Sequence, residues 1–374
     1  MLSRRQLMND KIVSTQGENL SLVNVKGSKL NALSVYGKST QSGTPSPDNP
    51  VPIVSAGDSG EINVAVSGKN LIPFPYLSPL GGAGTVYEAD GVTYTVQADG
   101  GIKCVGTPTS KFGPTLCRIR FSEESLKAND SESVTNGKVT LSGGPLYFDS
   151  NNNTTFIYWA SQVDTPVDMT IYPQVEYGTV ATAYEPHKTP QTLTLSTPGG
   201  LPGIPVTSGG NYTDESGQQW ICDEIDLKRG KYVQRVGSVL ADGTVNKFTA
   251  SANNEFWNLN TDHTAPGVIS GQRYLSIYFS KDFFNANEPG EFIYVMSEKG
   301  QEYFDTIEDL NAFCVEKNAE GNPLIIYYPM DPIETDLPAE EITAYKALHT
   351  YSPTTTVSND AGAWMEVGYR EWRR

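Results

Sequence analysis

The sequence predicts an all-β protein, β-rich with two short helices, and three observations support that fold class. Short alternations of apolar and polar residues recur along most of the 374 residues, and a period of two is typical of half-buried strands. The 35 Gly and 24 Pro are scattered between these runs, which indicates turns and excludes a coiled coil or collagen. Only 19% of the residues are charged, so the body of the chain is expected to fold.

The first predicted unit covers residues 1–60, which we interpret as N-terminal attachment strands and a Pro-rich connector. Alternating apolar positions indicate one or two strands that end near Tyr36 and Gly37. Residues 42–52 (SGTPSPDNPVP) then contain four prolines. Because proline lacks an amide hydrogen and fixes φ, this stretch is predicted to be an extended connector.

The second predicted unit is a β-sandwich over residues 61–188. Residues 62–66 (INVAV) alternate cleanly, and residues 92–97 and 102–105 flank an Asp99-Gly100 turn that predicts a hairpin. About eight short runs of this kind follow one another between turn residues, which is typical of an antiparallel sandwich or barrel.

The third predicted unit, residues 189–374, is a second β-rich module with two short helices. Asp305 is predicted to cap the first helix, with Glu308 as its reciprocal partner. The second helix is predicted to begin after Asp336, with Pro338 in its first turn. Its spacing directs three residues toward the core: Ile342, Tyr345 and Leu348.

Composition excludes several classes of partner. The formal net charge of −16 disfavours nucleic acid, whose affinity for proteins comes mostly from cations that neutralise phosphates. No apolar run approaches the roughly 20 residues of a membrane span, so no membrane insertion is expected. Cys104 and Cys117 lie in neighbouring predicted strands, but isolated buried thiols are favoured over a disulfide. No Cys-x-x-Cys motif or His cluster is present, so no structural zinc is expected.

Five phrases together resemble the minor structural proteins of tailed bacteriophages, the family of tail-fibre, baseplate and receptor-binding components. They are residues 36–41 (YGKSTQ), 68–71 (GKNL), 175–186 (VEYGTVATAYEP), 220–226 (WICDEID) and 351–360 (YSPTTTVSND). The phrases consist of turn residues rather than catalytic ones, so the resemblance bears on family more than on mechanism.

The resemblance implies a virion protein of the phage tail, made in the host cytoplasm and assembled with other tail subunits. In similar proteins the phrase at residues 175–186 ends a jelly-roll module like those of carbohydrate-binding modules. The resemblance also implies a homotrimer that contacts host cell-surface glycan. No long β-helical or collagen-like shaft is visible in this sequence, so a compact tip or upper-fibre element is expected.

Glycan binding needs aromatic faces for sugar C–H groups and polar side chains for hydroxyls. Residues 147–159 (YFDSNNNTTFIYW) supply both. In a strand, Phe156 and Tyr158 share one face while Ile157 and Trp159 share the other, so one pair must face the core. Core packing with a polar hairpin loop is therefore the alternative. The candidate ligand-binding residues are Tyr147, Asp149, Asn151, Asn153, Tyr158 and Trp159.

No metal or cofactor is predicted. Asp149, Asn151 and Asn153 have the alternate spacing that begins an EF-hand loop, but Thr154 stands where Gly is needed and Ala160 where Glu is needed. A calcium site of another geometry stays open as an alternative. A separate acidic group, Asp223, Glu224 and Asp226, is interpreted as a solvated strand edge.

Catalysis is not expected. The three histidines are far apart in sequence, and no Gly-x-Ser-x-Gly motif occurs. Two alternatives to the receptor-binding tail protein remain. One is a purely architectural tail or collar protein, and the weaker one is a glycan hydrolase, which would need two carboxylates across a scissile bond.

Overall fold

A computed structural model describes the chain except for residues 1–10, 121–132, 136–138, 145, 152–153, 161, 178–179, 261–273, 281, 287–292 and 372–374. Strands make up 47% and helices 9%, which confirms the all-β class. Every described strand pair is antiparallel, as the turn-rich alternation predicts.

The first six strands are β1 (Lys11–Gly17), β2 (Asn19–Val23), β3 (Ala32–Tyr36), β4 (Ser39–Gln41), β5 (Ile53–Ser55) and β6 (Glu61–Ser67). The next ten are β7 (Val86–Ala89), β8 (Val92–Val96), β9 (Ile102–Gly106), β10 (Phe112–Arg120), β11 (Ser133–Thr135), β12 (Val139–Ser142), β13 (Leu146–Asn151), β14 (Thr154–Ala160), β15 (Val167–Ile171) and β16 (Gln174–Tyr177).

The remaining strands are β17 (Gln191–Ser196), β18 (Gly203–Val206), β19 (Tyr212–Thr213), β20 (Gln219–Cys222), β21 (Glu224–Asp226), β22 (Lys231–Ala241), β23 (Lys247–Ala250), β24 (Phe256–Asn260), β25 (Asn285–Ala286), β26 (Ile293–Met296), β27 (Leu324–Asp336), β28 (Thr354–Asn359) and β29 (Trp364–Glu371). The helices are α1 (Ser297–Gly300), α2 (Ile307–Ala319) and α3 (Ala339–Ala347).

Two sheets pack face to face and form what we call the scaffold. One has the strand order β1-β29-β3-β21-β22-β27, and the other has the order β17-β6-β28-β2. Buried residues from both sheets share one mainly aliphatic cluster, in which Leu22, Val35, Val64 and Val367 are fully buried. The strict alternation of β2 and β6 produces this core, because every second side chain points inward.

Strand pairing in the scaffold joins distant parts of the chain. Strand β3 pairs with β21 and β29, and β6 pairs with β17 and β28. Residues 11–36 therefore share sheets with residues 224–226 and 354–371. The division of the chain into units at 1–60, 61–188 and 189–374 stays a prediction.

Strands β7–β16 form what we call the inserted module, because the chain leaves the scaffold after β6 and returns at β17, which pairs with β6. Its sheets have the orders β15-β9-β8-β7, β10-β14-β13 and β11-β12-β16. Residues from all three sheets share a separate buried cluster, which includes Tyr94, Leu141 and Trp159. The predicted hairpin around Asp99-Gly100 is confirmed, because Val96 pairs with Ile102.

A third cluster, rich in aromatic residues, lies between α2, the sheet β23-β24-β26-β25 and the first half of β27. Helix α2 begins one residue later than predicted, because Thr306 rather than Asp305 is its N-cap and Asp309 replaces Glu308 as the reciprocal partner. A hydroxyl and a carboxylate three residues apart satisfy two orphan donors together. Helix α3 begins at Ala339, two residues later than predicted, because Pro338 is its N-cap; Leu348, which directly follows the helix, is buried against the scaffold as predicted.

All four cysteines are buried free thiols, which confirms the favoured interpretation. Burial raises the pKa of both Cys104 and Cys117 to about 12. These thiols therefore stay protonated and pack as small apolar side chains.

The interpretation of Asp223 and Glu224 as a solvated strand edge was wrong. Asp223 is 1% exposed, and its carboxylate accepts the backbone N–H groups of Arg235 (2.7 Å) and Val236 (2.8 Å) and the hydroxyl of Tyr232. Glu224 pairs with Arg235 at 3.0 Å. Desolvation raises the pKa of Asp223 to about 6 in spite of these donors. Alternation alone did not reveal that β22 covers this acidic turn.

Candidate functional site

The predicted ligand-binding hairpin is formed by β13 and β14, whose antiparallel register sets Tyr147 opposite Tyr158. Most of the candidate ligand-binding residues of this hairpin have side chains outside the described part of the chain, so their role stays a prediction. Outside the described residues lie Asn153 and the side chains of Tyr147, Asp149 and Asn151.

The structure determines which face of β14 points into the core. Ile157 and Trp159 are buried at 0% and 1% exposure, whereas Tyr158 lies on the opposite face and is partly exposed. The Trp159 ring packs edge-on against Tyr94, with ring centroids 5.3 Å apart. In this arrangement Trp159 fills the core of the inserted module, and Tyr158 is the described candidate that faces outward.

A polar cluster, four of whose six residues are buried, lies where the inserted module leaves and rejoins the scaffold. It is made by the outgoing residues 68–71, by β16 and by the returning residues 182–187. We call this cluster the polar joint and define it by six residues: Lys69, Asn70, Gln174, Glu176, Thr182 and Glu185.

Lys69 is the only cation among these six residues. Its side chain is 9% exposed, and its ammonium donates to Thr182 Oγ1 (2.7 Å) and to the carbonyl of Ala183. The same nitrogen lies 3.3 Å from a carboxylate oxygen of Glu185. Burial of a lysine ammonium is unfavourable unless a carboxylate pairs with it and acceptors bind its N–H groups. Lys69 has both kinds of partner.

Glu176 is the most deeply buried carboxylate of the polar joint, at 3% exposure. One of its oxygens accepts from Gln174 Nε2 (2.7 Å) and from the backbone N–H of Thr182 (2.8 Å). The other accepts from Thr182 Oγ1 (2.6 Å). Both oxygens are thus engaged by protein donors, which suits a carboxylate that positions a chain segment rather than one that protonates a substrate.

Asn70 joins the outgoing chain to β16. Its side-chain oxygen accepts from the backbone N–H groups of Ile72 (3.0 Å) and Val175 (3.3 Å), and its amide donates to the carbonyl of Pro173 (3.0 Å). Three bonds from one buried amide fix two segments that are about a hundred residues apart in sequence.

The polar joint also contacts the scaffold. Thr354 Oγ1, at the start of β28, donates to Glu185 at 2.8 Å, and Tyr177 forms a hydrogen bond with Ser358 of the same strand. Desolvation raises the pKa of Tyr177, so its hydroxyl stays protonated. Strand β16 packs against β2. The inserted module is therefore fixed to the outer face of the four-stranded sheet.

Sequence analysis missed the polar joint. It treated residues 68–71, 175–186 and 351–360 only as marks of family resemblance, whereas the structure brings them into contact. The available signal was a lysine and two glutamates within phrases otherwise made of turn residues and apolar residues. Spacing could not show that these charges meet, because the module lies between them.

Searches for other kinds of site give two negative findings. In the part of the chain that the structure describes, no three His, Cys, Asp or Glu side chains converge as a metal site would require. None of the described helices is long and apolar enough to cross a membrane. A scan against protein-family models, a search of curated proteins and a search of solved structures each return no match.

Proposed function

We propose that this chain is a structural component of a bacteriophage tail, in a fibre, tip or baseplate, and that it contributes to recognition of host-surface glycan. In this proposal the scaffold docks against other tail subunits as part of a homotrimer, and the inserted module is a jelly roll that meets the host. Repetition in a trimer suits glycan binding, because several weak contacts on one particle raise avidity over a single site.

The observation that supports the proposal best is the way the inserted module is mounted. It has its own core, it lies between two paired scaffold strands, and an ion pair between Lys69 and Glu185 joins its outgoing and returning connections. A module whose two connections are joined to each other keeps a set orientation, which suits display of a binding surface. The phrases that resemble phage proteins supply the residues of that attachment.

Immunogold imaging of virions tests the location. Particles produced from the genome that encodes this chain are labelled with an antibody raised against the purified protein. Label on the tail is the expected result, and label on the capsid or absent from the particle contradicts the proposal. Analytical ultracentrifugation of the purified protein tests the trimer.

The architectural alternative is favoured by one observation, the burial of Trp159, which removes the largest aromatic candidate from the outer surface. A pull-down with purified host cell walls separates the two functions. Sedimentation of the intact protein with the walls, reversed by soluble wall glycan, supports recognition. No sedimentation by an assembled and folded protein leaves the architectural function.

A further inference from the structure

Two partly exposed tyrosines lie side by side on the inserted module, away from the predicted hairpin. Tyr172 follows β15 and Tyr184 lies in the returning segment, and their ring centroids are 5.0 Å apart with a tilt of 52°. The Tyr184 hydroxyl donates to the carbonyl of Asp99 at 2.7 Å. Burial and the nearby Asp99 carboxylate raise the pKa of Tyr184 to about 12, which keeps that donor protonated. We call Tyr172 and Tyr184 the tyrosine pair.

The polar joint fixes the backbone on both sides of this pair. Tyr172 precedes Pro173, whose carbonyl is bound by Asn70, and its own N–H donates to Gly143 at 2.8 Å. Tyr184 lies between two anchored residues, because the carbonyl before it accepts from Lys69 and the N–H after it donates to Gln174 at 2.9 Å. Rings held in this way lose little freedom when a ligand binds.

Polar groups of the β8–β9 turn converge beside the tyrosine pair. A methyl group added at Gly101 would lie 2.8 Å from Tyr172 Cε1, 2.9 Å from Gln97 Oε1 and 3.2 Å from Asp99 Oδ1. Asp99 Oδ1 accepts the N–H of Gly101 at 3.0 Å. The amide of Gln97 has no hydrogen-bond partner within the described chain, although the residue is partly buried. An unpaired amide next to an aromatic ring is available for a ligand hydroxyl.

We propose that the tyrosine pair, with Gln97 and Asp99, binds a sugar ring of a neutral glycan. The tyrosine rings would contact the C–H face of the pyranose, and the amide and carboxylate would bind its hydroxyls. This inference rests on the proposed function and assigns its glycan site.

Charge selects the class of glycan. Asp99 is exposed and carries a carboxylate at the edge of the site, and the whole chain has a formal net charge of −16. An anionic sugar or a phosphate-bearing polymer would be repelled by both. A neutral hexose or N-acetylhexosamine keeps the C–H face and hydroxyls without that cost.

An immobilised array of neutral hexose and N-acetylhexosamine oligosaccharides, with uronic-acid oligosaccharides as anionic counterparts, tests the site on the full chain. The best-bound oligosaccharide is then titrated by calorimetry against wild type and variants. Tyr172→Ala and Gln97→Ala are each expected to weaken binding about ten-fold or more, as loss of a central contact does. Asp99→Asn is expected to improve binding of the anionic set, since the amide keeps the acceptor oxygen for Gly101.

Tyr87→Ala is the matched control, because Tyr87 is a partly exposed tyrosine of the same module that lies on β7, outside both the predicted hairpin and the tyrosine pair. Unchanged affinity in this variant, beside the loss in Tyr172→Ala, supports the site. Wild-type affinity in Tyr172→Ala and Gln97→Ala overturns it and leaves the proposed function intact. Absence of binding to every oligosaccharide by wild type overturns the recognition function and the site together. Circular dichroism of each variant confirms that the fold is retained.

Discussion

Aromatic side chains at two places in the inserted module, strand β14 and the tyrosine pair, are positioned by different forces. In β14 apolar packing fixes the side chains of Ile157 and Trp159, which are buried in the module core. The tyrosine pair is held by hydrogen bonds. The Tyr184 hydroxyl donates to the β8–β9 turn, and the backbone next to Tyr184 is bonded to the polar joint.

Aromatic content alone therefore does not identify a binding surface. Side chains alternate between the two faces of a strand. When one face packs on the core, about half of the rings in an aromatic strand are therefore buried. A ring in a loop is not subject to that alternation. Hydrogen bonds to the neighbouring backbone then hold the ring at the surface.

Replacement of the buried indole should have the largest effect. Trp159→Ala is expected to lower the free energy of unfolding by about 3–5 kcal/mol, because it leaves a cavity beside Tyr94. Urea denaturation measures the loss. Tyr158→Ala, on the opposite face of the same strand, is expected to cost no more than about 1 kcal/mol. Equal costs for the two variants would contradict the assignment of the faces.

Replacement of Lys69, the cation of the polar joint, should cause the second-largest loss of stability. Lys69→Ala is expected to cost about 3 kcal/mol, because it leaves the partly buried Glu185 carboxylate without its cation and the Ala183 carbonyl without its donor. Lys103→Ala is the matched control, since its partner Asp168 is 72% exposed and surface pairs contribute less than about 1 kcal/mol. Denaturation of both variants gives the comparison. A Lys69 cost as small as the Lys103 cost would show that the polar joint does not hold the module.

The scaffold offers a pH test of a buried carboxylate. The pKa of Asp223 is about 6 in the fold, above its ordinary value, so its stabilising contribution is complete below about pH 4 and is lost as the pH rises through 6. The loss amounts to about 3 kcal/mol by the usual conversion. Asp223→Asn keeps the acceptor oxygen and should flatten this part of the stability profile. An unchanged profile would contradict the raised pKa.

Removal of one hydroxyl should have the smallest effect. Tyr184→Phe keeps the ring but loses the bond to the Asp99 carbonyl, which is expected to cost about 1 kcal/mol. Glycan affinity should fall only a few-fold, because the ring stays present but is held less firmly. A loss as large as that of Tyr172→Ala would mean that the hydroxyl contacts the ligand directly.

Local pattern predicted the strands, the hairpin at Asp99 and the position of α3, because alternation, turn residues and Pro338 act over a few residues. It missed by one residue the cap of α2, where the pairs Asp305–Glu308 and Thr306–Asp309 offer the same capping pattern one residue apart. Burial of Asp223 and Lys69 could not be predicted, since each is covered by segments distant in sequence. The tyrosine pair is unpredictable for the same reason: Tyr172 and Tyr184 meet only after β16 turns back to the scaffold.

Hydrogen exchange, measured by mass spectrometry with and without saturating neutral oligosaccharide, locates the glycan site on the inserted module, because bound ligand slows local opening of the backbone that it touches. Peptides that cover residues 96–103 and 170–186 should gain protection, and peptides that cover residues 146–160 should not. Protection confined to residues 146–160 would contradict the account and place the glycan on the hairpin instead.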